Sequence, residues 1–339
     1  RQHAQGIRNR AQMGIFDWLF KKKIVIPPKG KAIQSSTQTI EVSKPFLSVS
    51  SIGYAGLYSL SKSRKWAISW RDSDPVAGRG GHRESGHGEY VLADLAGDVL
   101  SAHGQMQRPN NGSVANNGSF CLEDWHLGSS LSGTFNVFDC AGTPIVTKEL
   151  TANIFGSGIS KNGKLAYCAT ANSKTEHGYK VMLFDLETGK ELFCVTPGTQ
   201  GLETYIFDEE RKLLIADVKG VGKFRYDSTG NFVDGNNLDK ANLDSSDYSR
   251  TIRAVEKILG EQDVSDERAT EALAAVMRAR SLGADSNPAW KPNALKVQGL
   301  AHELLGQIRQ AIEVYEEAIT LNPKIGVKRR LDALKKRVG

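Results

Sequence analysis

The chain reads as a multidomain β-then-α protein, four antiparallel strand repeats followed by an array of helical hairpins. Three observations predict this. A turn containing Asp and Gly recurs four times at near-constant spacing, a second turn precedes each of them, and composition changes beyond about Asn237. Before that point Gly, Ser, Asn, aromatic and β-branched residues dominate; after it Ala, Leu, Glu, Lys and Arg take over, as strands give way to helices. The expected division is an N-terminal extension over 1–32, a strand domain over 33–237 and a helical domain over 248–339. The boundary lies in the polar stretch Asp234 to Asp247.

The extension comes first. Met13 is the first methionine, and residues 1–12 are read as an upstream extension outside the fold. Gly14 to Phe20 then form a short apolar patch that runs into Lys21, Lys22 and Lys23. Secretory signals place their charge before a longer apolar run, so export is not expected. Phe16, Trp18 and Phe20 beside the three lysines are candidates for weak contact with an anionic membrane surface; a short helix packed on the protein itself is the plainer alternative.

The strand repeats carry the strongest signal. Asp94-Leu95-Ala96-Gly97, Asp139-Cys140-Ala141-Gly142, Asp185-Leu186-Glu187-Thr188-Gly189 and Asp227-Ser228-Thr229-Gly230 start 45, 46 and 42 residues apart. Each is flanked by apolar runs, such as Val181 to Phe184 before and Leu192-Phe193 after, or Phe224 to Tyr226 before and Phe232-Val233 after. Asp bonds to the backbone ahead of it and Gly accepts positive φ, so each unit is a hairpin. Earlier turns at Ser61 to Lys65, Asn116 to Gly118, Lys161 to Gly163 and Asp208 to Arg211 add a second hairpin per period. Four antiparallel strands every 40 to 45 residues make a β-propeller blade.

Over about residues 50–235 the pattern resembles the YVTN and quinoprotein-like, WD40-like propeller families, most clearly in Asp185-Leu186-Glu187-Thr188-Gly189-Lys190-Glu191-Leu192. The resemblance implies the fold; those families range from quinone-dependent dehydrogenases to binding platforms. With four blades, either the ring closes, with Ile33 to Val42 as an extra outer strand, or it stays open and must cover its edges. Within the first repeat, the Gly- and Arg-rich insertion Ser73 to Glu89 carries His82 and His87. These are candidate partner contacts on a loop rather than metal ligands, since no Cys or carboxylate pattern completes a site.

From Tyr248 the apolar period becomes helical: Ile252, Val255, Ile258 and Leu259 form one stripe, and Ala269, Leu273, Val276 and Met277 another behind the N-cap Ser265. Leu295, Gly299, His302, Gly306, Ala311, Tyr315, Ala318 and Pro323 then fall at positions similar to those of a tetratricopeptide (TPR) repeat. Leu295, Gln298 and His302 stand where that family has Trp, Leu and Tyr. One repeat is read at Asn293 to Pro323, with a degraded one before it and a capping helix from Gly326. The resemblance implies a groove for a peptide or partner helix, lined from Leu295, Gln298, His302 and Leu305. The alternative is a helical cap that stabilises the blades. Arrays this short lean on a neighbouring domain or a second copy, which leaves a homo-oligomer open.

Charge and motifs bound the function. The net charge is +6, yet residues 1–23 hold +5 and residues 324–339 hold +6, leaving an acidic body at −5 between basic ends. No basic folded stretch interleaved with aromatics is present, so nucleic acid is not an expected partner. Cys121, Cys140, Cys168 and Cys194 fit no zinc spacing and read as buried free thiols in a reducing compartment. Phosphate-binding loops, nucleophile elbows and metalloprotease motifs are absent, and no cofactor is expected. Glu123-Asp124-Trp125-His126 is the one polar cluster with acid–base potential, and a satisfied strand-end network is the reading preferred for it. The expectation is a non-catalytic protein-interaction scaffold with a protein or peptide partner, cytoplasmic or peripheral at the inner membrane face. A peripheral membrane adaptor and a quinoprotein-like enzyme are the alternatives.

Overall fold

The structure, a computed structural model, describes residues 39–72, 84–129, 131–199 and 203–338. Four antiparallel sheets precede six helices. The first sheet has six strands in chain order: β1 (Ile40–Ser43), β2 (Phe46–Val49), β3 (Tyr54–Leu60), β4 (Trp66–Arg71), β5 (Gly88–Asp94) and β6 (Val99–Met106). The second contains β7 (Pro109–Val114), β8 (Phe120–Trp125), β9 (Gly133–Phe138) and β10 (Pro144–Leu150). The third contains β11 (Ile154–Ile159), β12 (Leu165–Thr170), β13 (Val181–Asp185) and β14 (Lys190–Val195). The fourth has three strands, β15 (Glu203–Asp208), β16 (Leu213–Val218) and β17 (Gly222–Tyr226).

The repeated turns behave as their chemistry demands. Asp94 accepts N–H bonds from Ala96 and Gly97, Asp139 from Ala141 and Thr143, Asp185 from Glu187, and Asp227 from Thr229 and Asn231. Gly142, Gly189 and Gly230 supply the left-handed φ; in the first turn Asp98 does so instead, at φ 51°. The fourth repeat departs from expectation. Phe232 makes one bridge to Tyr226 and no outer strand follows. There Asp234 takes a two-pronged grip on the Arg225 guanidinium, at 2.7 and 2.8 Å, and the chain turns directly into a helix.

The sheets stack in an open row. One apolar seam joins sheets one and two through Trp66, Ile68, Leu92, Phe120 and Leu122. A second joins two and three through Phe135, Val137, Cys168 and Phe184. The third joins three and four through Leu165, Leu183, Leu214 and Tyr226. Among the described residues no apolar cluster joins the fourth sheet to the first. Both end faces are covered instead. Leu47 and Val49 of β2 pack over Tyr54, Ala67, Val91 and Ala93, and the Ile40 N–H reaches Asp98 at 3.1 Å, so the β1–β2 hairpin curls across the first sheet. The strand expected within Ile33 to Val42 is thus in part β1, which pairs with β2 at the β3 side of the first sheet rather than closing a ring from outside. An open row needs such covers, because a bare apolar face or edge recruits other chains.

The last face is covered by α1 (Gly235–Leu243), whose Leu238 packs on Val218 and Phe224. The polar stretch Asp234 to Asp247, where the boundary was expected, holds a docked helix, since Leu238 and Leu243 give that segment a one-sided apolar face. Beyond it, α2 (Tyr248–Leu259), α3 (Asp266–Ser281) and α4 (Lys291–Leu304) share one core of Ile252, Val255, Ala272, Val276 and Val297. Asp247 caps α2 through the Ser249 and Arg250 N–H groups, and Ser265 caps α3 through Arg268. Against α4 lies α5 (Ile308–Leu321), where the fully buried Tyr315 sits so close to Gly299 that a Cβ there would fall 2.3 Å from its ring. Finally α6 (Lys328–Val338) closes on α5 with Leu331 and Leu334.

Candidate functional site

At one end of the row, where β4, β8 and β12 finish and β5, β9 and β13 begin, the second and third seams end differently. The seam between sheets two and three is sealed by a carboxylate. Glu123 of β8 is 2% exposed; its Oε1 accepts from Asn111 Nδ2 at 3.1 Å and Ser157 Oγ at 2.8 Å, and its Oε2 accepts from Trp125 Nε1 at 3.2 Å. Beside it the Cys121 and Cys168 thiols are pushed up by burial. Burial also raises Asp124, although the Arg108 and Gln107 backbone N–H groups favour its charged form. His126 is held between Ser132 and Thr134 at 2.9 and 2.8 Å. All four residues of the Glu123–His126 run are thus held in structural bonds, Glu123 and Trp125 to each other. Arg108, 7% exposed, pairs with Asp72 at 3.2 Å.

The seam between sheets three and four opens as a cleft of about 350 Å3. Phe155 and Gly156 of β11, Tyr167 of β12, Tyr179 and Lys180 at the entry to β13, Pro197, and Tyr205 of β15 line it. Alternation along β11 buries Ile154 and turns Phe155 outward, leaving it 56% exposed. On the floor the Tyr167 ring lies 4.9 Å from Tyr205 and 5.7 Å from Phe207, centroid to centroid. Gly158 makes this possible: a Cβ there would fall 2.7 Å from the Tyr167 ring. The Tyr167 hydroxyl has no hydrogen-bond partner among the described residues, and burial pushes its pKa far above the usual phenol range, with Cys121 and Glu123 adding to the effect.

The wall opposite is a strained turn. Tyr179 takes φ 52°, uncommon for an aromatic residue, and its hydroxyl donates to the Thr199 carbonyl at 3.0 Å. Thr170 Oγ1 accepts the Lys180 N–H at 2.9 Å, and within the third sheet the Lys180 ammonium donates to Thr196 Oγ1, beyond the end of β14, at 2.9 Å. Aromatic rings, one cation and free hydroxyl capacity form a concave surface of the kind that receives a ligand or a partner side chain.

The residues proposed from sequence are placed elsewhere. Leu295 is fully buried. Gln298 and His302 are 8% exposed and bonded inward, Gln298 to Arg280 and His302, and His302 Nδ1 to Gln307 at 2.6 Å. They support the helix pack instead of lining a groove, because α4 lies among α2, α3 and α5 with apolar contacts on several faces. Leu305 is half-buried at the C-cap of α4. His87 is exposed beside β5, whereas His82, Phe16, Trp18, Phe20, Lys21, Lys22 and Lys23 lie outside the described residues. All four cysteines are free; Cys121 and Cys168 are buried, but Cys140 is exposed on its turn and Cys194 is half-buried. Sequence reasoning missed the cleft residues, although Phe155, an aromatic on the outward side of an alternating strand, was a readable signal. Among the described residues no three His, Cys, Asp or Glu side chains gather as a metal site. No described helix is long and apolar enough to cross a membrane.

No protein-family model matches the chain, and no curated protein does. Among solved structures it aligns with the β-propeller domain of Cps50 (Swd1) from Myceliophteria thermophila, at 12% identity and a TM-score of 0.36. The alignment covers 60% of this chain and 56% of that one, a little over half its length. The architecture described above rests on the sheets themselves.

Proposed function

We propose that the chain is a non-catalytic protein-interaction scaffold whose docking surface is the loop end of the sheet row, centred on the cleft between the third and fourth sheets. The observation that carries this reading is Phe155, a large aromatic held more than half exposed at the rim of a ring-lined hollow. Apolar aromatics set in a concave surface are typical anchors of protein interfaces. The neighbouring polar residues that have acid–base potential are committed to structural bonds, which favours binding over chemistry at this end. The helices, TPR-like in the closeness of α4 and α5, act in this reading as the brace that covers the fourth sheet.

The test is a pull-down from native lysate, read by mass spectrometry, with the wild-type full chain, Phe155→Ser, and Met277→Glu as an exposed helical control. Partners lost with Phe155→Ser and kept with Met277→Glu support the cleft as the dock. The same partners kept with both variants overturn it.

A further inference from the structure

The cleft has a charge preference written into it. Lys148, Lys164, Lys212 and Lys223 of the third and fourth sheets and their neighbours each reach a carboxylate: Glu191, Glu187, Asp185 and Asp217 in turn. Lys180 does not. Its ammonium rests on the neutral Thr196 hydroxyl, and no carboxylate lies within ion-pair distance of it among the described residues. It lines the same hollow as Tyr167, whose hydroxyl is a neutral donor without an acceptor. One unpaired cation and one idle donor beside a floor of rings are complementary to a group that is aromatic on one side and anionic on the other.

On the docking reading given above, we infer that the cleft receives an extended peptide segment of a partner protein in which an aromatic side chain is followed by an acidic one. The aromatic ring enters over Tyr167 and Tyr205, and the carboxylate meets Lys180. The volume, about 350 Å3, lies near the lower end for ligand sites and suits one large side chain, with the peptide backbone left outside against Phe155. The preference is for an acidic peptide because Lys180, unlike Lys148, Lys164, Lys212 and Lys223, reaches into the hollow without a carboxylate beside it.

Fluorescence anisotropy with the full chain tests this. The probes are a fluorescein-labelled Gly-Ser-Trp-Glu-Ser-Gly peptide, its Trp-Gln relative and its Ala-Glu relative. Saturable binding of the Trp-Glu peptide is expected, weakened roughly five- to tenfold in each relative, lost in Lys180→Glu and retained in Lys180→Arg, with unchanged thermal midpoints. Equal binding of the Trp-Glu and Trp-Gln peptides, wild-type binding by Lys180→Glu, or no saturable binding of the Trp-Glu peptide overturns the inference. The docking reading is judged separately. If Phe155→Ser still sheds lysate partners while the peptide fails, the surface stands and its acidic specificity falls. Lysine-dependent peptide binding with no partner lost in Phe155→Ser upholds the specificity and overturns the dock.

Discussion

The two neighbouring seams of the sheet row end in opposite ways. Between sheets two and three, Glu123 gathers Asn111, Trp125 and Ser157, so that three donors and one carboxylate leave no gap. Between sheets three and four the corresponding end of the seam carries Tyr167 and Tyr205, whose rings are tilted against each other and leave a hollow beside Lys180. A buried polar network is satisfied only when complete, and a complete one rigidifies. Aromatic rings tolerate a gap because their contacts are weakly directional. Neighbouring repeats therefore form one joint closed by a polar network and one that keeps a hollow.

The sealed seam is expected to be the more fragile to substitution. Glu123→Ala leaves three half-buried donors without their acceptor and costs about 2–3 kcal/mol, measured as a lowered urea midpoint. A loss under about 1 kcal/mol would remove the distinction between the seams. Next in size, Gly158→Ala pushes on the Tyr167 ring and costs about 1–2 kcal/mol, and it also reshapes the cleft and weakens peptide binding.

A third joint, between the last sheet and α1, is expected to respond to acid. The Arg225 guanidinium beside Asp234 holds its carboxyl down at about 2. A depressed folded pKa gives stability that is full above the unfolded value near 4 and is lost as pH falls from there towards about 2. Urea midpoints across that window should fall more steeply for the wild type than for Asp234→Asn, and parallel curves would show that the joint does not contribute. The smallest effect belongs to the open seam. Phe155→Ser should shift stability by no more than about 0.5 kcal/mol while removing binding, because the ring is already largely in water. A large destabilisation would place Phe155 in the core of the joint.

Much of the fold was legible because its instructions are short. Asp94, Asp139, Asp185 and Asp227 bond to groups two to four residues ahead, and Gly299 and Tyr315 meet across one helical hairpin. The missing fourth outer strand was not legible: Phe232-Val233 has the right residue types, and the Arg225–Asp234 pair holds the chain where it turns into α1. The burial of Gln298 and His302 was not legible either. Gln298 and His302 are polar, and polarity predicts exposure until the bonds to Arg280 and Gln307 satisfy them inside.

The sequence by itself determined the four Asp-containing turns, the change from strands to helices and the capped helix starts, since each depends on groups a few residues apart in the chain. Only the tertiary structure decided that the row stays open, that β1–β2 and α1 cover its ends, and that Phe155, Lys180 and Tyr205 converge. Those outcomes depend on which faces meet. Residues 25 apart become neighbours through the stacking of whole sheets, and no local spacing records it.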